Sequence, residues 1–439
     1  MNTLSGFPYC EIQFTKDATV FDPTAIDQLN DMLKNENVTD LLVVSHGWNN
    51  DMNDARLLYK NLIAQIAGQA GASTRKFGVL GVLWPSKKFA EKDLIAGGAA
   101  SFENNDESAA LQAQLKSLHG FFDDDNAATE ILKKASVAAQ SLEKGNTEQA
   151  QRDFVKQLAL LFDNAVKKQS AANEKDINLS FTKEDPKVLL ERLSYDFDEE
   201  KKATGTGGAT AFEAGGQAAG LGDLFGNLIS GAKNLLNYVT FYQMKERAGK
   251  VGANGLNAVL KNIRKQFPAV KLHLAGHSFG GRVVTAAAAG ADEKDDLIVD
   301  TLTLLQAAFS HYGFAVNYDQ HNSNGFFRRV IANKKVTGPV LITHTHNDTA
   351  VGIAYAIASR IAKQVAEGLG DANDKYGGMG GNGAQLTPET NNDFNLKVND
   401  YHFNKGVIYN LNGDSCISNH SDICKTEVGK AILASIETT

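Results

Sequence analysis

Residues 273–281 read His-Leu-Ala-Gly-His-Ser-Phe-Gly-Gly, with a serine set between a histidine and two glycines. A serine hydroxyl is a poor nucleophile until a neighbouring base takes its proton, and that base needs an acid to orient it. Val270, Leu272 and Leu274 alternate with Lys271 and His273, as in a strand entering a core. Residues 282–289 (RVVTAAAA) follow as a tightly packed helix start. A serine on a strand-to-helix corner needs unusual backbone angles, and only small neighbours let the helix pass close by. Gly276-His277-Ser278-Phe279-Gly280 fits such a nucleophile elbow. The plainer reading is a glycine-rich turn with an incidental serine, so the partners must be sought elsewhere in the chain.

On a parallel sheet, active groups gather at the carboxyl ends of the strands. An elbow of this kind is followed in the chain first by its acid and then by its histidine. Residues 339–343 (PVLIT) run as a strand into His344-Thr-His-Asn-Asp348, which puts Asp348 at a strand's carboxyl end. His344 and His346 lie nearer the strand, and a pair two residues apart can hold a metal. No carboxylate or cysteine cluster of matching spacing accompanies them, so metal binding is the weaker reading. The last strand, 406–411, opens into a loop that carries His420 just before a helix capped near Ser421 or Asp422. From there an imidazole can reach back across the sheet to act as base. His402 precedes that strand and starts from its opposite end, which makes it the weaker candidate.

Acyl chemistry also needs two backbone donors aimed where negative charge develops. The Phe279 amide, directly after the serine, is one. The Trp48 amide is the other, on the loop Ser45-His46-Gly47-Trp48 after an early strand. Gly47 lets that backbone turn towards a substrate, and His46 is read as bracing the loop rather than transferring protons.

These groups need a frame. Residues 40–47 form an apolar run ending at glycine, a good buried parallel strand, and 77–84 form a second, closed by Pro85. Helical periodicity covers 53–69, and a helix over 242–266 leads into the elbow strand. Strand-like runs at 297–305, 339–343 and 406–411 alternate with helical patterns at 350–367 and 422–435. The alternation predicts an α/β fold with a mainly parallel, doubly wound sheet covered on both faces. Between 87 and 235 the strand signals nearly vanish, and helical segments at 108–122, 127–142 and 149–168 take over. The expected division is a core in two parts, 1–86 and 236–439, separated by a helical insertion at 87–235 that is a candidate cap or lid. Glycine-rich 205–222 reads as a mobile tether. Leu224, Phe225 and Leu228 continue from it at helical spacing, as either a core helix or a lid. Residues 121–125 read as a solvated helix boundary. Residues 371–383 read as a flexible loop bordering the pocket, without the ligand spacing or closing glutamate of a calcium loop.

Composition narrows the classes. Of 439 residues, 43% are hydrophobic and 22% charged, an ordinary globular balance. A formal charge of −7 argues against nucleic acid as a partner. Cys10, Cys416 and Cys424 are sparse and lack metal-like spacing, as in a reducing compartment, although the last two could pair if the fold brings them together. No basic leader with a long apolar run opens the chain, and no apolar stretch is long enough to span a bilayer, so a cytoplasmic protein is expected. The apolar segment near 221–239 leaves room for peripheral membrane contact. Nothing in the sequence sets an oligomeric state.

The set "VVSHGW", "GHSFGG", "THTHND" and "SNHSDI" resembles the α/β-hydrolase superfamily over residues 1–86 and 236–439, with the elbow the most specific motif. The resemblance implies an α/β-hydrolase fold with Ser278 as nucleophile, His420 as base and Asp348 as acid. The Trp48 and Phe279 amides then form the oxyanion hole, supported by His46, Gly47, Gly276, His277 and Gly280. Many members carry a cap after the strand that follows the elbow strand, whereas the insertion here precedes the helix leading into the elbow. The expectation is an esterase-like or lipase-like serine hydrolase of carboxylic esters. It would act through an acyl-enzyme, without a cofactor, on a small-molecule or lipid-like ester. A peptidase or amidase is the nearest rival. A non-catalytic binding or scaffold protein is the other, and its signature would be a missing triad member; none is missing.

Overall fold

The computed structural model describes residues 2–48, 50–71, 74–86, 107–122, 125–143, 147–167, 184–194, 221–351, 376–396 and 400–439. The chain divides into two compact units. The first joins Met1–Lys87, Arg247–Val351 and Gly377–Thr439, and the second joins Lys88–Glu246 with Gly352–Tyr376.

The first unit opens with β1 (Asn2–Leu4) and β2 (Phe7–Gln13), then alternates α1 (Thr24–Asn35), β3 (Asp40–Ser45), α2 (Met52–Ala70) and β4 (Phe77–Leu83). The insertion follows with α3 (Glu107–Ser117), α4 (Asp125–Glu143), α5 (Thr147–Lys167) and α6 (Pro186–Leu193). The long α7 (Leu221–Lys250) returns the chain through a π-helical stretch, Val251–Leu256, into α8 (Asn257–Gln266). After it come β5 (Lys271–His277), α9 (Phe279–Ala289), β6 (Thr301–Leu305), α10 (Arg328–Ala332), β7 (Val340–His344), α11 (Met379–Asn382), β8 (Thr390–Asn395), β9 (Ile408–Asn412) and α12 (Thr426–Glu437).

Among the described residues these strands form one sheet in the order β1-β2-β4-β3-β5-β6-β7-β9-β8, parallel except for the β1–β2 pair. The fold is therefore mixed α/β with a mainly parallel central sheet. Every residue of β3 and β4 is buried, as their unbroken Leu and Val runs require of strands covered on both faces. Register aligns the carboxyl ends: Ser45 faces Gly276, His277 faces Leu305, and His344 faces Asn412. On one face α2 and α12 meet over a core that includes Tyr59, Ile63, Leu411 and Ile432. α9 is buried along its whole length. It lies so close to the π-helical stretch that a Cβ on Gly252 would come 2.2 Å from the Val283 carbonyl oxygen.

In the second unit α4 packs on α3 and α5. Its interior includes Leu132, Phe154, Leu158 and Phe162, and the Phe162 ring stacks 5.5 Å from that of Tyr238 in α7. Phe121 and Phe122 are buried there, so this helix boundary is packed rather than solvated. Leu228, Leu235 and Leu236 of α7 are buried as well. The expected tether at 205–222 lies outside the described residues except for its last two, which begin α7. The side chains of Leu224 and Phe225, the helical pattern of 350–367 beyond Val351, and residues 371–375 also lie outside them. Cys10, Cys416 and Cys424 are free thiols. No helix among the described residues is long and apolar enough to cross a membrane.

Candidate active site

Ser278 occupies the corner between β5 and α9 with φ 56° and ψ −124°, a conformation that L-residues rarely adopt. Such strain costs about 1–3 kcal/mol and persists only where the surroundings over-determine it. The end of β6 does this. The Ser278 amide donates to the Leu305 carbonyl at 3.0 Å, and the Ala308 amide donates to the Ser278 carbonyl at 3.0 Å. Glycine is required on both sides. A Cβ at Gly276 would sit 2.2 Å from the Gly280 carbonyl oxygen, and one at Gly280 would sit 2.2 Å from that of Ser45. Although Ser278 stands at the N-cap of α9, its side chain makes no capping hydrogen bond, so the hydroxyl is not spent on the helix.

The loop after β3 lies directly against this corner. A Cβ on Gly47 would be 2.7 Å from the Ser278 Cβ, which leaves only glycine room there. The Trp48 ring packs 5.8 Å from the Phe279 ring, and Phe279 begins α9, where the helix dipole favours negative charge. His46 holds the loop from behind. The Trp84 amide donates to its Nε2 at 3.2 Å, the Trp84 indole donates to its carbonyl at 3.0 Å, and its own amide donates to the Tyr59 hydroxyl at 2.9 Å. Accepting at Nε2 leaves the hydrogen on Nδ1, 2.9 Å from the Gly47 carbonyl. Burial pushes the His46 ring down to about 4, so it stays neutral as a brace.

Asp348 and His420 come from separate strand ends and meet. His420 Nδ1 lies 2.8 Å from Asp348 Oδ2, and the Asp348 side chain is fully shielded from solvent while the His420 side chain is 18% exposed. The other carboxylate oxygen of Asp348 accepts from the Val351 amide at 3.0 Å. A buried carboxylate at this position fixes the hydrogen on Nδ1 and leaves Nε2 as the basic nitrogen. His277 ties this pair to the elbow: its Nε2 donates to the His420 carbonyl at 2.8 Å, and the two rings lie 4.7 Å apart. Burial first, then the neighbouring His420 ring, pushes His277 down to about 3, so it remains a neutral donor. Among the described residues no hydrogen bond joins Ser278 Oγ to His420. In unliganded sites that contact is often loose and tightens when substrate binds.

No family model, curated protein or solved structure matches this chain. The chemistry must then be read from the constellation itself. A strained serine, an imidazole with one nitrogen on a buried carboxylate, and a glycine loop at a helix N-terminus are the parts that acyl transfer requires.

The remaining candidates lie elsewhere. His344 ends β7 with its ring mostly buried and pushed down to about 4 by that burial. His346 is exposed and pairs with Asp414 at 2.8 Å. His402 is exposed and lies ahead of β9 rather than at its carboxyl end. Among the described residues no three His, Cys, Asp or Glu side chains gather as a metal site.

Sequence reasoning passes over three parts. Gly380, expected in a flexible loop, is buried against the acid: a Cβ there would be 2.9 Å from Asp348 Oδ2 and 2.8 Å from the Gln306 Cα. Gln306 itself is buried at φ 41° and hydrogen-bonded to Thr343. Asp422 does not cap the last helix. It accepts from the Ser418 amide and hydroxyl, tightening the turn that carries His420, so α12 begins only at Thr426. The run of glycines in 376–383 was the signal available for Gly380; nothing comparable marks the other two.

Proposed function

We propose that the protein is a serine hydrolase of carboxylic esters, with an α/β-hydrolase arrangement of its first unit. The observation that carries the reading is the meeting of His420 and Asp348 at 2.8 Å, from loops 72 residues apart, beside a serine held in left-handed strain. His420 Nε2 accepts the Ser278 proton as Oγ bonds to the substrate carbonyl carbon. The oxyanion forms against the Trp48 and Phe279 amides. The imidazolium then gives its proton to the departing alkoxide, which leaves an acyl-serine. Water attacks that ester by the same route, returning its proton through His420 and releasing the acid. An ester is favoured over an amide because an alkoxide leaves with less acid assistance than an amine. Residues of this chain suffice for each step.

The test is labelling with a fluorophosphonate probe, alongside p-nitrophenyl esters of increasing chain length and matching anilides. The wild-type protein is expected to label at Ser278 and to cleave esters. Ser278→Ala, with little core volume lost, is expected to keep its circular dichroism and lose roughly 10⁶-fold in turnover. Equal labelling of the two folded proteins would overturn the assignment.

A further inference from the structure

The base sits on a loop outside the regular elements of the sheet. β9 ends at Asn412, and residues 413–419 leave the sheet before His420 turns back towards Asp348. The acid loop likewise leaves β7 at His344 and reaches Asp348 four residues later. An error of an ångström between two such loops would separate imidazole from carboxylate, and misplacement of that size costs roughly 10²-fold in rate.

One carboxylate spans both loops. Asp414 Oδ1 accepts from the Thr345 hydroxyl at 2.9 Å and from the His346 amide at 2.8 Å. Its Oδ2 lies 2.8 Å from His346 Nδ1 and accepts from Asn412 Nδ2 at 3.3 Å. The side chain of Asn347, next to the acid, donates back to the carbonyls of Asp414 at 3.1 Å and Ile417 at 2.8 Å. A backbone bond from the Gly413 amide to the His344 carbonyl, 2.8 Å, closes the set. Every residue from 344 to 347 thus bonds to the loop that carries the base, and a carboxylate has lone pairs for all four donors.

We infer that Asp414 is a positioning residue of the active site, a second carboxylate that never meets substrate but holds the acid loop against the base loop. The inference rests on the serine-hydrolase reading above. Burial raises the Asp414 carboxyl, but hydrogen bonds from the His346 ring and amide and from the Thr345 hydroxyl outweigh it and hold it down to about 2. The clamp is therefore charged throughout any ordinary assay range. Because His346 is largely in water, its ring contact with Asp414 adds little by itself; the geometry of the four donors does the work.

The test compares wild type, Asp414→Ala, Asp414→Asn and His346→Ala. Each is assayed for kcat and KM on a short p-nitrophenyl ester, for the rate of fluorophosphonate labelling, and for the low-field proton resonance of His420 Nδ1. Asp414→Ala is expected to lose roughly 10²-fold in kcat and labelling rate, with KM little changed and the resonance broadened. Asp414→Asn should recover most of this, since its amide oxygen still accepts from Thr345 and the His346 amide. His346→Ala should show a smaller loss, and none when added to Asp414→Ala, because both act on one clamp. Should Asp414→Ala fail to fold, Thr345→Val removes a single donor and reads the same quantities. Unchanged kcat and resonance in a folded clamp variant, or a loss confined to KM, overturns the inference alone. A wild-type protein that does not label overturns the hydrolase reading instead.

Discussion

Among the described residues the sheet carries a hydroxyl–imidazole–carboxylate set at each end, and the two differ in the features that the proposed hydrolysis needs. At the carboxyl ends stand Ser278, His420 and Asp348. At the amino ends His273 lies between Thr301, with Nδ1 3.0 Å from Oγ1, and Asp40, with Nε2 3.0 Å from Oδ1. The second set looks more complete on distances alone. Yet Thr301 and His273 sit on regular strands with both imidazole nitrogens engaged, and His273 and Asp40 are sealed from solvent. Asp40 is further bound by Arg75 at 2.5 Å and by the Thr39 hydroxyl at 2.6 Å. Nothing there is left to react. The carboxyl-end set differs in a strained serine backbone, an imidazole with Nε2 uncommitted and partly exposed, and a glycine loop pressed against it. Composition alone makes a polar core network; strain and an unspent nitrogen are what the proposed nucleophile adds to it.

The widest separation between the two ends is expected from direct substitution. His420→Ala should lose roughly 10⁴- to 10⁶-fold in kcat and Asp348→Asn roughly 10⁴-fold. His273→Ala and Thr301→Val should keep full turnover per folded molecule while melting earlier, by about 1.5–3 kcal/mol for His273, whose loss takes a hydrogen bond from a buried carboxylate. Active-site titration with thermal melts separates the two. If the His273 variant is the inactive one, the assignment of the ends is reversed.

A finer comparison uses glycines. Gly47→Ala drives a methyl into the Ser278 Cβ, 2.7 Å away, and should cost roughly 10²-fold in kcat by moving a backbone donor. Gly78→Ala near the amino ends first meets the side chains of Val38 and Met32, at 3.0 to 3.3 Å. It should cost about 1–3 kcal/mol of stability and no turnover. Equal kcat for the two variants would remove the Gly47 loop from the oxyanion role.

The two ends also differ in their response to pH. His46 and His277 lie at about 4 and about 3 when folded, against about 6.5 for a free imidazole. The unfolded chain therefore binds protons that the folded one refuses. Their contribution is fully present above pH 6.5 and is lost as pH falls towards 4 and 3, at about 1.4 kcal/mol per pH unit for each ring. Burial raises Asp40, but hydrogen bonds from His273, Thr39 and Arg75 outweigh it and hold it down to about 2. Its contribution survives until pH drops below the ordinary carboxylate range. Denaturant midpoints from pH 7 to 2 should thus fall in two stages, the first flattened by His277→Asn. A single stage below pH 4 would contradict the buried neutral histidines.

Much of this arrangement is written locally in the sequence. Glycines at 276 and 280, the apolar run before His46, and polar residues directly after strand runs each report a strand end. Strand ends are where a parallel sheet collects its chemistry. What is not legible depends on contacts distant in sequence. β8, TNNDFN, has no apolar period and becomes a strand only because β9 offers it a backbone edge. β2 is interrupted by Pro8, which hides its alternation. The helix read as continuous over 242–266 breaks into a π turn, because Gly252 and Gly255 must admit α9 and the Phe14 ring at close range. Asp414 looks like any loop aspartate until the acid loop is folded against it.

The sheet is also written in two halves. β1 to β4 precede the insertion and β5 to β9 follow it, so the β3–β5 pair is a seam between segments more than 200 residues apart; the His273–Asp40 contact alone spans 233. Pairings of such separation pay their loop-closure entropy before any contact rewards it, and they form late. A chain emerging from the ribosome holds the Gly47 loop ready long before Ser278 has been synthesised. The strained corner and the loop that presses on it become neighbours only when the seam closes. On the proposed reading, reactivity is then the last property this chain acquires, and a half-folded copy carries only an unactivated serine.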